Sequence, residues 1–189
     1  MLDKPFDIAN QDLQKLIHGC VAGDRTCQRE IYDWYAPRML MLCLRYAKDG
    51  QEAEEILQDG FLQMYRHIGQ YKSTGSFNSW VRKIMINAAL MRYRGKASRP
   101  RVIAPTPGQD FSATREDFLD RIGEQELIRL IQTLPPAYRM VFNLYVFEGL
   151  KHREIAQLLK ISEGTSKSNL SDARALLRRA MTGDLKAAK

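Results

Sequence analysis

The sequence predicts an all-α protein with two small helical domains, an N-terminal helical bundle and a C-terminal helix-turn-helix domain, joined by a flexible linker. Three observations predict this class. Apolar residues recur at alternating intervals of three and four along most of the chain, as on one face of a helix. No stretch has the two-residue period and turn spacing of a sheet. A segment rich in proline and glycine separates the two periodic halves, so we expect domains at 1–97 and 117–189 and a linker at 98–116.

The N-terminal half contains four predicted helices. The first has a short apolar stripe, and the second begins after Asp24, a predicted N-cap, with Pro37 expected to bend or interrupt it. The third runs from Ala53 to Ile68 and ends at Gly69. A turn-rich loop at 72–76 follows, and the fourth helix extends toward Gly95. The stripes of the first, second and fourth helices are Leu13, Leu16, Ile17 and Cys20; Cys27, Ile31, Trp34 and Tyr35; and Phe77, Trp80, Val81, Ile84, Ala88 and Met91.

Helical periodicity resumes after the predicted linker. A first stripe spans Phe118 to Ile131, and Pro135-Pro136 suits the first turn of the next helix, which ends at Gly149. A short helix over 152–160, a turn at Ile161-Ser162 and a last helix from about Glu163 complete the chain. The stripe residues after the linker are Phe118, Leu119, Ile122, Leu127, Leu130 and Ile131.

Composition limits the classes of protein to which the chain can belong. The chain has 189 residues, 44% of them apolar, which excludes collagen-like, low-complexity and disordered classes. Three cysteines without Cys-x-x-Cys spacing argue against a disulfide framework and a structural zinc site. Because no apolar run is long enough for a membrane span and the start has no apolar signal core, we expect a cytoplasmic protein without membrane insertion.

Charge is unevenly distributed. The formal net charge is +7, which favours a polyanionic partner. No acidic residue lies between Gly60 and Gln109, whereas the stretch just upstream is strongly acidic. The N-terminal half of the chain therefore carries one acidic and one basic surface. The basic residues are Arg66, Lys72, Arg82, Lys83, Arg92, Arg94, Lys96, Arg99 and Arg101, and the acidic ones are Asp49, Glu52, Glu54, Glu55 and Asp59.

The C-terminal segment has the helix-turn-helix pattern. A small residue, Ala156, stands where two helices would cross, and Ile155, Leu159 and Ile161 would close a small core under the turn. The second helix then offers a polar first turn to the major groove of DNA. Nine basic against four acidic residues in 151–189 give a local balance of +5. By pattern alone, this segment predicts DNA binding.

These residues resemble a known family. The C-terminal motifs are similar to region four of the small extracytoplasmic-function (ECF) sigma factors of bacterial RNA polymerase. In the N-terminal half, one segment resembles the family's core-binding helix and another its promoter-melting segment. The C-terminal motifs are Leu134-Pro135-Pro136-Ala137-Tyr138-Arg139, Glu148-Gly149-Leu150, Glu154-Ile155-Ala156 and Gly164-Thr165-Ser166-Lys167-Ser168; the N-terminal ones are Glu52-Ala53-Glu54-Glu55-Ile56-Leu57-Gln58-Asp59-Gly60-Phe61 and Phe77-x-x-Trp80-Val81-x-x-Ile84-x-x-Asn87.

The resemblance implies a sigma factor that binds core RNA polymerase, directs it to specific promoters and melts the minus-ten element, without catalytic residues, metal or cofactor. It implies polymerase contacts at Glu54, Glu55, Gln58, Asp59 and Phe61. It implies minus-ten contacts at Lys72, Asn78, Arg82, Lys83, Asn87, Arg92 and Arg94, with a flipped base against the loop 71–78. It implies minus-thirty-five contacts at Thr165, Ser166, Lys167, Ser168, Asn169 and Arg174.

Two aromatic residues stand at the start of the melting segment. Trp80 is expected in the core, and Phe77 is a candidate for a DNA contact. The resemblance also implies a chain that is monomeric when free, an anti-sigma factor, often membrane-bound, as a further partner, and a linker whose Arg99 and Arg101 thread along the polymerase.

Three residues depart from the family pattern, and two other functions compete with it. Lys160 occupies a turn position that often has glycine, Ser166 a position that often has valine, and Asn169 one that often has arginine. A conventional helix-turn-helix regulator with a dimerisation or sensing bundle would instead bind a symmetric operator without polymerase. An enzyme acting on nucleic acid lacks support, because the three histidines are isolated and the basic region has no carboxylate cluster to hold magnesium.

Overall fold

The computed structural model describes residues 10–72, 75–95 and 123–182, and within these ranges the chain is all-helical. The N-terminal domain contains α1 (Asn10–Val21), α2 (Arg25–Tyr46), α3 (Gly50–His67), a short 3₁₀ turn (Ile68–Gln70) and α4 (Phe77–Arg94). The C-terminal domain contains α5 (Glu124–Thr133), α6 (Pro136–Val146), α7 (His152–Leu159) and α8 (Glu163–Met181). The prediction of two helical domains is confirmed.

 

Helix α7, which spans His152–Leu159, and helix α8 form the predicted helix-turn-helix pair.

Local signals in the sequence explain most helix ends. The carboxylate of Asp24 accepts hydrogen bonds from the backbone N–H groups of Thr26 (2.7 Å) and Cys27 (3.4 Å), which confirms the predicted N-cap of α2. Gly95 ends α4 with a φ of 75°, a conformation that glycine adopts without steric cost. Pro37 lies inside α2 and does not interrupt it, so that part of the prediction was wrong. The predicted linker, 98–116, and the stripe residues Phe118, Leu119 and Ile122 lie outside the described residues.

The N-terminal core lies between α2, α3 and α4, which pack against one another, while α1 packs on α2. Ile31, Val81 and Met85 are fully buried there. Gly60 brings α3 close to α4: a Cβ atom placed at this glycine would lie 2.2 Å from Sδ of Met85. The absent side chain therefore leaves the space that the Met85 thioether occupies.

The C-terminal core lies beneath the helix-turn-helix pair. Ile155, Leu159 and Leu177 are buried, and Ala156 stands at the predicted crossing with 9% of its surface exposed. The turn after α7 depends on Lys160, whose φ and ψ of 55° and 45° are left-handed. The sequence departure at this position therefore carries a conformational cost, because a Cβ atom disfavours this region by roughly 1–2 kcal/mol.

The two domains contact each other through the C-terminal end of α2, which packs against α5 and α6. Tyr46, the last residue of α2, is 1% exposed, and the apolar cores of the two domains form one continuous cluster of buried residues. The interface is therefore part of the packed interior of the described chain.

Replacing Lys160 by glycine is expected to stabilise the protein by about 1 kcal/mol, because glycine adopts a left-handed conformation without the steric cost of a Cβ atom. Urea unfolding followed by circular dichroism measures the change. Lys160→Ala is the matched control, since it removes the charge and keeps the Cβ atom, and it is expected to leave the unfolding midpoint nearly unchanged. Equal stabilisation by the two variants would contradict the backbone explanation.

Candidate polymerase and DNA interfaces

Helix α3 presents the predicted polymerase-binding face. The carboxylate of Asp49 caps the helix by accepting a hydrogen bond from the N–H of Glu52 (2.8 Å). Of the predicted contacts, Glu54, Gln58 and Asp59 are exposed and Glu55 is half-buried. The outward side of the helix is therefore acidic, as predicted.

Phe61 does not belong to that face. Its side chain is 3% exposed, and its ring lies 4.7 Å from the ring of Tyr32 and 6.1 Å from that of Tyr65, measured between centroids. The next residue, Leu62, is 55% exposed and was not predicted as a contact. The prediction of Phe61 as a polymerase contact is therefore corrected: Phe61 is a core residue, and Leu62 is the apolar residue available to a partner.

Arg92 lies against the acidic helix and not on a separate basic surface. Its guanidinium forms ion pairs with Glu52 (Nε to Oε1, 3.5 Å), with Glu55 and with Asp59 (Nη1 to Oδ2, 3.8 Å). The predicted phosphate-binding role of Arg92 is not supported by this arrangement, because its charge is already compensated by three carboxylates. Arg92 instead links α4 to the predicted polymerase-binding face.

The aromatic residues around the predicted base-binding loop form one cluster. The rings of Phe77 and Trp80 stack with centroids 5.6 Å apart, and Tyr71 lies 5.1 Å from Phe77. The Tyr71 hydroxyl donates a hydrogen bond to the carbonyl oxygen of Gly75 (2.5 Å), which ties the two ends of the loop together. Phe77 is 2% exposed, whereas Trp80 is half-buried. The structure thus reverses the expected roles: Phe77 belongs to the core, and Trp80 is the ring that reaches the surface.

The other predicted minus-ten residues differ in exposure. Lys72 is exposed, while Asn78, Lys83 and Asn87 are half-buried on and around α4. Partial burial lowers the pKa of Lys83. The Nε of Arg94 is buried and has no hydrogen-bond partner within the described part of the chain.

Arg82 is held by the C-terminal domain. Its Nε donates to Oε2 of Glu148 (3.0 Å) and its Nη2 donates to Oε1 of the same carboxylate (2.7 Å), so the contact is bidentate. The hydroxyl of Tyr46 donates to the same carboxylate at 3.3 Å. Burial alone would lower the pKa of Arg82, but the charge of Glu148 and the hydrogen bonds to it outweigh burial and raise this pKa.

Three further side chains of the C-terminal domain bind the carbonyl oxygens at the end of α2. Gln132 donates to the carbonyl of Leu44 (3.1 Å), and Asn143 donates to that of Arg45 (2.8 Å). Arg139 donates to the carbonyl of Tyr46 through a longer contact of 3.5 Å. A helix leaves its last carbonyls without intrahelical partners, and here they are satisfied across the domain boundary. Sequence reasoning missed this set, because no local pattern links residues about 90 positions apart.

The predicted recognition helix, α8, begins at a side-chain N-cap. Ser162 Oγ accepts a hydrogen bond from the N–H of Thr165 (2.9 Å). Thr165, Lys167 and Ser168 are exposed on the first turns, and Nζ of Lys167 pairs with Glu163 at 2.9 Å. Farther along the helix, Asn169 and Arg174 are half-buried, and the guanidinium of Arg174 lies 5.6 Å from the ring centroid of Tyr145.

Ser166 is buried, so the prediction that it contacts DNA is not supported. Its side chain is 0% exposed, and its Oγ lies 3.0 Å from Nδ1 of His152, at the start of α7. The imidazole also stacks on the ring of Tyr145, with centroids 4.7 Å apart. His152 therefore satisfies a buried hydroxyl beneath the recognition helix and joins α7 to α8, a role that the sequence analysis did not assign.

Replacing His152 by phenylalanine is expected to destabilise the protein by about 1–3 kcal/mol, because a ring remains on Tyr145 while the Ser166 hydroxyl is left buried without a partner. Adding Ser166→Ala to this variant is expected to recover part of the loss, since no unpaired hydroxyl remains. Urea unfolding of the wild type, both single variants and the double variant gives the coupling between the two residues. Additive effects of the two substitutions would contradict the pairing.

Stability is also expected to depend on the protonation of His152. Burial, Lys167 and Arg174 lower its pKa from the ordinary value of 6.5, against the opposing effect of Glu163. The unfolded chain therefore binds the proton more readily, so the contribution of His152 is complete above about pH 6.5 and is lost as the pH falls through the lower, folded-state pKa. The urea midpoint of the wild type should decline between about pH 7.5 and 5 more steeply than that of His152→Gln. Parallel pH profiles would contradict this assignment.

Two further observations concern the described residues alone. They contain no group of three or more His, Cys, Asp or Glu side chains that could hold a metal ion. None of the helices described above is long and apolar enough to cross a membrane.

Comparisons with known proteins agree with the resemblance. Residues 31–99 match Sigma-70 region 2 and residues 124–177 match Sigma-70, region 4. The chain is 27% identical over 185 residues to the RNA polymerase sigma-H factor of Pseudomonas aeruginosa, covering 89% of this chain and 93% of that protein. It is 29% identical over 178 residues to the ECF RNA polymerase sigma factor SigW of Bacillus subtilis, covering 88% of this chain and 95% of that protein.

Among solved structures, CnrH in its complex with the cytosolic domain of CnrY matches with a TM-score of 0.46 and 15% identity, over 90% of this chain and 97% of CnrH. The family assignment comes from the sequence matches, which place regions 2 and 4 in order on the two helical domains. The chain belongs to the ECF family of RNA polymerase sigma factors.

Proposed function

We propose that this chain binds core RNA polymerase, directs it to specific promoters and melts the minus-ten element. The observation that carries the proposal is the order of the two matches: sigma region 2 coincides with the domain that carries the acidic helix and the aromatic loop, and region 4 with the helix-turn-helix domain. Each domain thus offers a surface suited to one step of transcription initiation.

Polymerase would bind along the exposed side of α3. Glu54, Gln58 and Asp59 supply a polar and acidic rim, and Leu62 supplies an exposed apolar side chain beside it. Protein interfaces commonly combine an apolar centre with a polar rim. Because Glu55 is occupied by Arg92, we expect it to act mainly by holding α3 and α4 together.

The minus-ten element would be opened at the aromatic loop. Opening a duplex costs stacking and pairing energy, which a protein offsets by stacking an extruded base on an aromatic ring and by holding the single strand with cations. The half-buried Trp80 and Tyr71 offer ring surface, and Lys72 and Lys83 offer charge nearby. Asn78, Asn87 and, once it is released from Glu148, Arg82 complete the set that we propose for this element.

The minus-thirty-five element would be bound by α8. Thr165, Lys167 and Ser168 are exposed on its first turns, where a recognition helix contacts base edges and phosphates. Asn169 has the donor and acceptor needed to pair with adenine, and Arg174 would bind the phosphate backbone.

The remaining expectations follow from this function. We propose that the protein works in the cytoplasm, as a monomer when free, without a cofactor and without chemistry of its own. An anti-sigma factor, soluble or membrane-bound, is the proposed inhibitory partner. The linker with Arg99 and Arg101 would follow the polymerase between the two DNA elements, although these residues lie outside the described ranges.

Run-off transcription tests the proposal. Purified chain added to core polymerase and a library of upstream regions should give promoter-dependent transcripts that are absent with polymerase alone. A library without any such transcript would refute the proposal. Tight binding to a symmetric operator in a gel shift without polymerase would favour a conventional helix-turn-helix regulator instead.

Glu54→Lys combined with Leu62→Asp is expected to weaken binding to core polymerase at least tenfold, because the changes reverse a charge and place a carboxylate at the exposed apolar position; a tenfold loss corresponds to about 1.4 kcal/mol. Fluorescence anisotropy with labelled chain measures the affinity. Glu30→Lys, at an exposed position of α2, is the control that makes the same charge reversal outside α3, and it should bind almost as the wild type does. Unchanged binding of the double variant would place the polymerase contact elsewhere.

A further inference from the structure

The contact between the two domains involves a residue proposed to bind DNA. Arg82 belongs to the minus-ten set, yet its guanidinium is bound by Glu148 of the C-terminal domain. The side chain of Arg82 is 35% exposed and that of Glu148 is 11% exposed, so the ion pair lies at the edge of the interface and not in its interior. A pair in that position is accessible to a competing anion from solution.

We propose that the two domains form an intramolecular interface that keeps the free chain closed, and that Glu148 occupies the place on Arg82 that a DNA phosphate would take. The chemistry of the contact supports this exchange. Two parallel N–H···O bonds from an arginine fork fit a carboxylate and a phosphate equally well. The distances of 3.0 and 2.7 Å are those of a complete bidentate contact, so a phosphate cannot bind the same edge until Glu148 has left.

The remaining contacts make the closed arrangement specific without using DNA-binding residues. Gln132, Asn143 and Arg139 bind three successive carbonyls at the end of α2, and Tyr46 donates to Glu148 from the same helix end. Loss of the Glu148–Arg82 pair therefore shifts the balance toward the open chain, and the other contacts keep the closed arrangement specific. The interface combines a carboxylate that DNA can displace with hydrogen bonds to backbone carbonyls, which restore closure when DNA leaves.

Closure and DNA binding at Arg82 are consequently linked. A protein whose binding-competent state is only a small fraction of the population binds its ligand more weakly by that fraction. The identity of the competing anion, a single strand of promoter DNA, is the part of this inference that rests on the proposed function. The closed state itself is independent of that function, because it follows from contacts within the chain.

The test compares three variants of the full chain. Glu148→Gln keeps the size of the side chain and removes the charge that mimics a phosphate. Glu126→Gln is the matched control, because it removes the same charge from an exposed position of α5 whose only ion pair among the described residues is with Arg129. Gln132→Ala loosens the interface without changing the net charge. Circular dichroism establishes that each variant folds.

Two measurements separate this inference from the proposed function. Small-angle X-ray scattering gives the radius of gyration without polymerase or promoter, and Glu148→Gln and Gln132→Ala should both be larger than the wild type. Anisotropy with a labelled single-stranded oligonucleotide at low salt should show Glu148→Gln and Gln132→Ala binding several-fold tighter, up to about tenfold, and Glu126→Gln binding within about twofold of the wild type.

Three results would overturn the inference: unchanged dimensions of both interface variants, equal tightening by Glu126→Gln and Glu148→Gln, or an opened Gln132→Ala whose affinity for the oligonucleotide does not rise. None of these results decides whether the chain supports transcription, which the run-off assay measures separately. Conversely, a chain that opens as expected but yields no transcript would retain the closed state and refute the proposed function.

Discussion

The C-terminal end of α2 is the point on which the arrangement of the described domains depends. A buried helix end must find partners for its last carbonyl groups, and each unsatisfied group costs about 1–3 kcal/mol. Here Gln132, Asn143 and Arg139 supply those partners from the opposite domain. The guanidinium of Arg45 adds a contact with the ring of Phe147, 4.4 Å from its centroid. Backbone chemistry at a single helix end thus gives the interface a definite geometry.

Ion pairing changes what the charge pattern of the sequence means. The stretch after Gly60 has no acidic residue, yet two of its arginines are neutralised from outside: Arg82 by Glu148 and Arg92 by the carboxylates of α3. A count along the chain cannot reveal this, because the partners are brought together only by folding. The surface available to a nucleic acid in the closed chain is therefore less cationic than the sequence indicates.

Periodicity predicted most of the helices because burial of an apolar stripe determines where a helix packs, and Ile31, Val81 and Leu177 are buried as expected. It failed where neighbouring residues are chemically alike. Phe61 and Leu62 are both apolar, and Phe77 and Trp80 lie on the same stripe; which of each pair faces outward depends on the exact rotation of the helix against its neighbours. Ser166 was misplaced because its hydroxyl is paired with the imidazole of His152 on another helix, and no local pattern in the sequence encodes that pairing.

The close approach at Gly60 has a consequence for how such a chain can diverge. A Cβ atom at this position would lie 2.2 Å from Sδ of Met85 but 3.6 Å from its Cα, so any other residue would require the buried thioether of Met85 to move. These helices carry the surface proposed for the transcription machinery and the surface proposed for the melted strand. Exposed side chains on either helix can vary without disturbing this contact, whereas a larger residue at position 60 needs a different side chain or rotamer at position 85, so the two positions are expected to vary together.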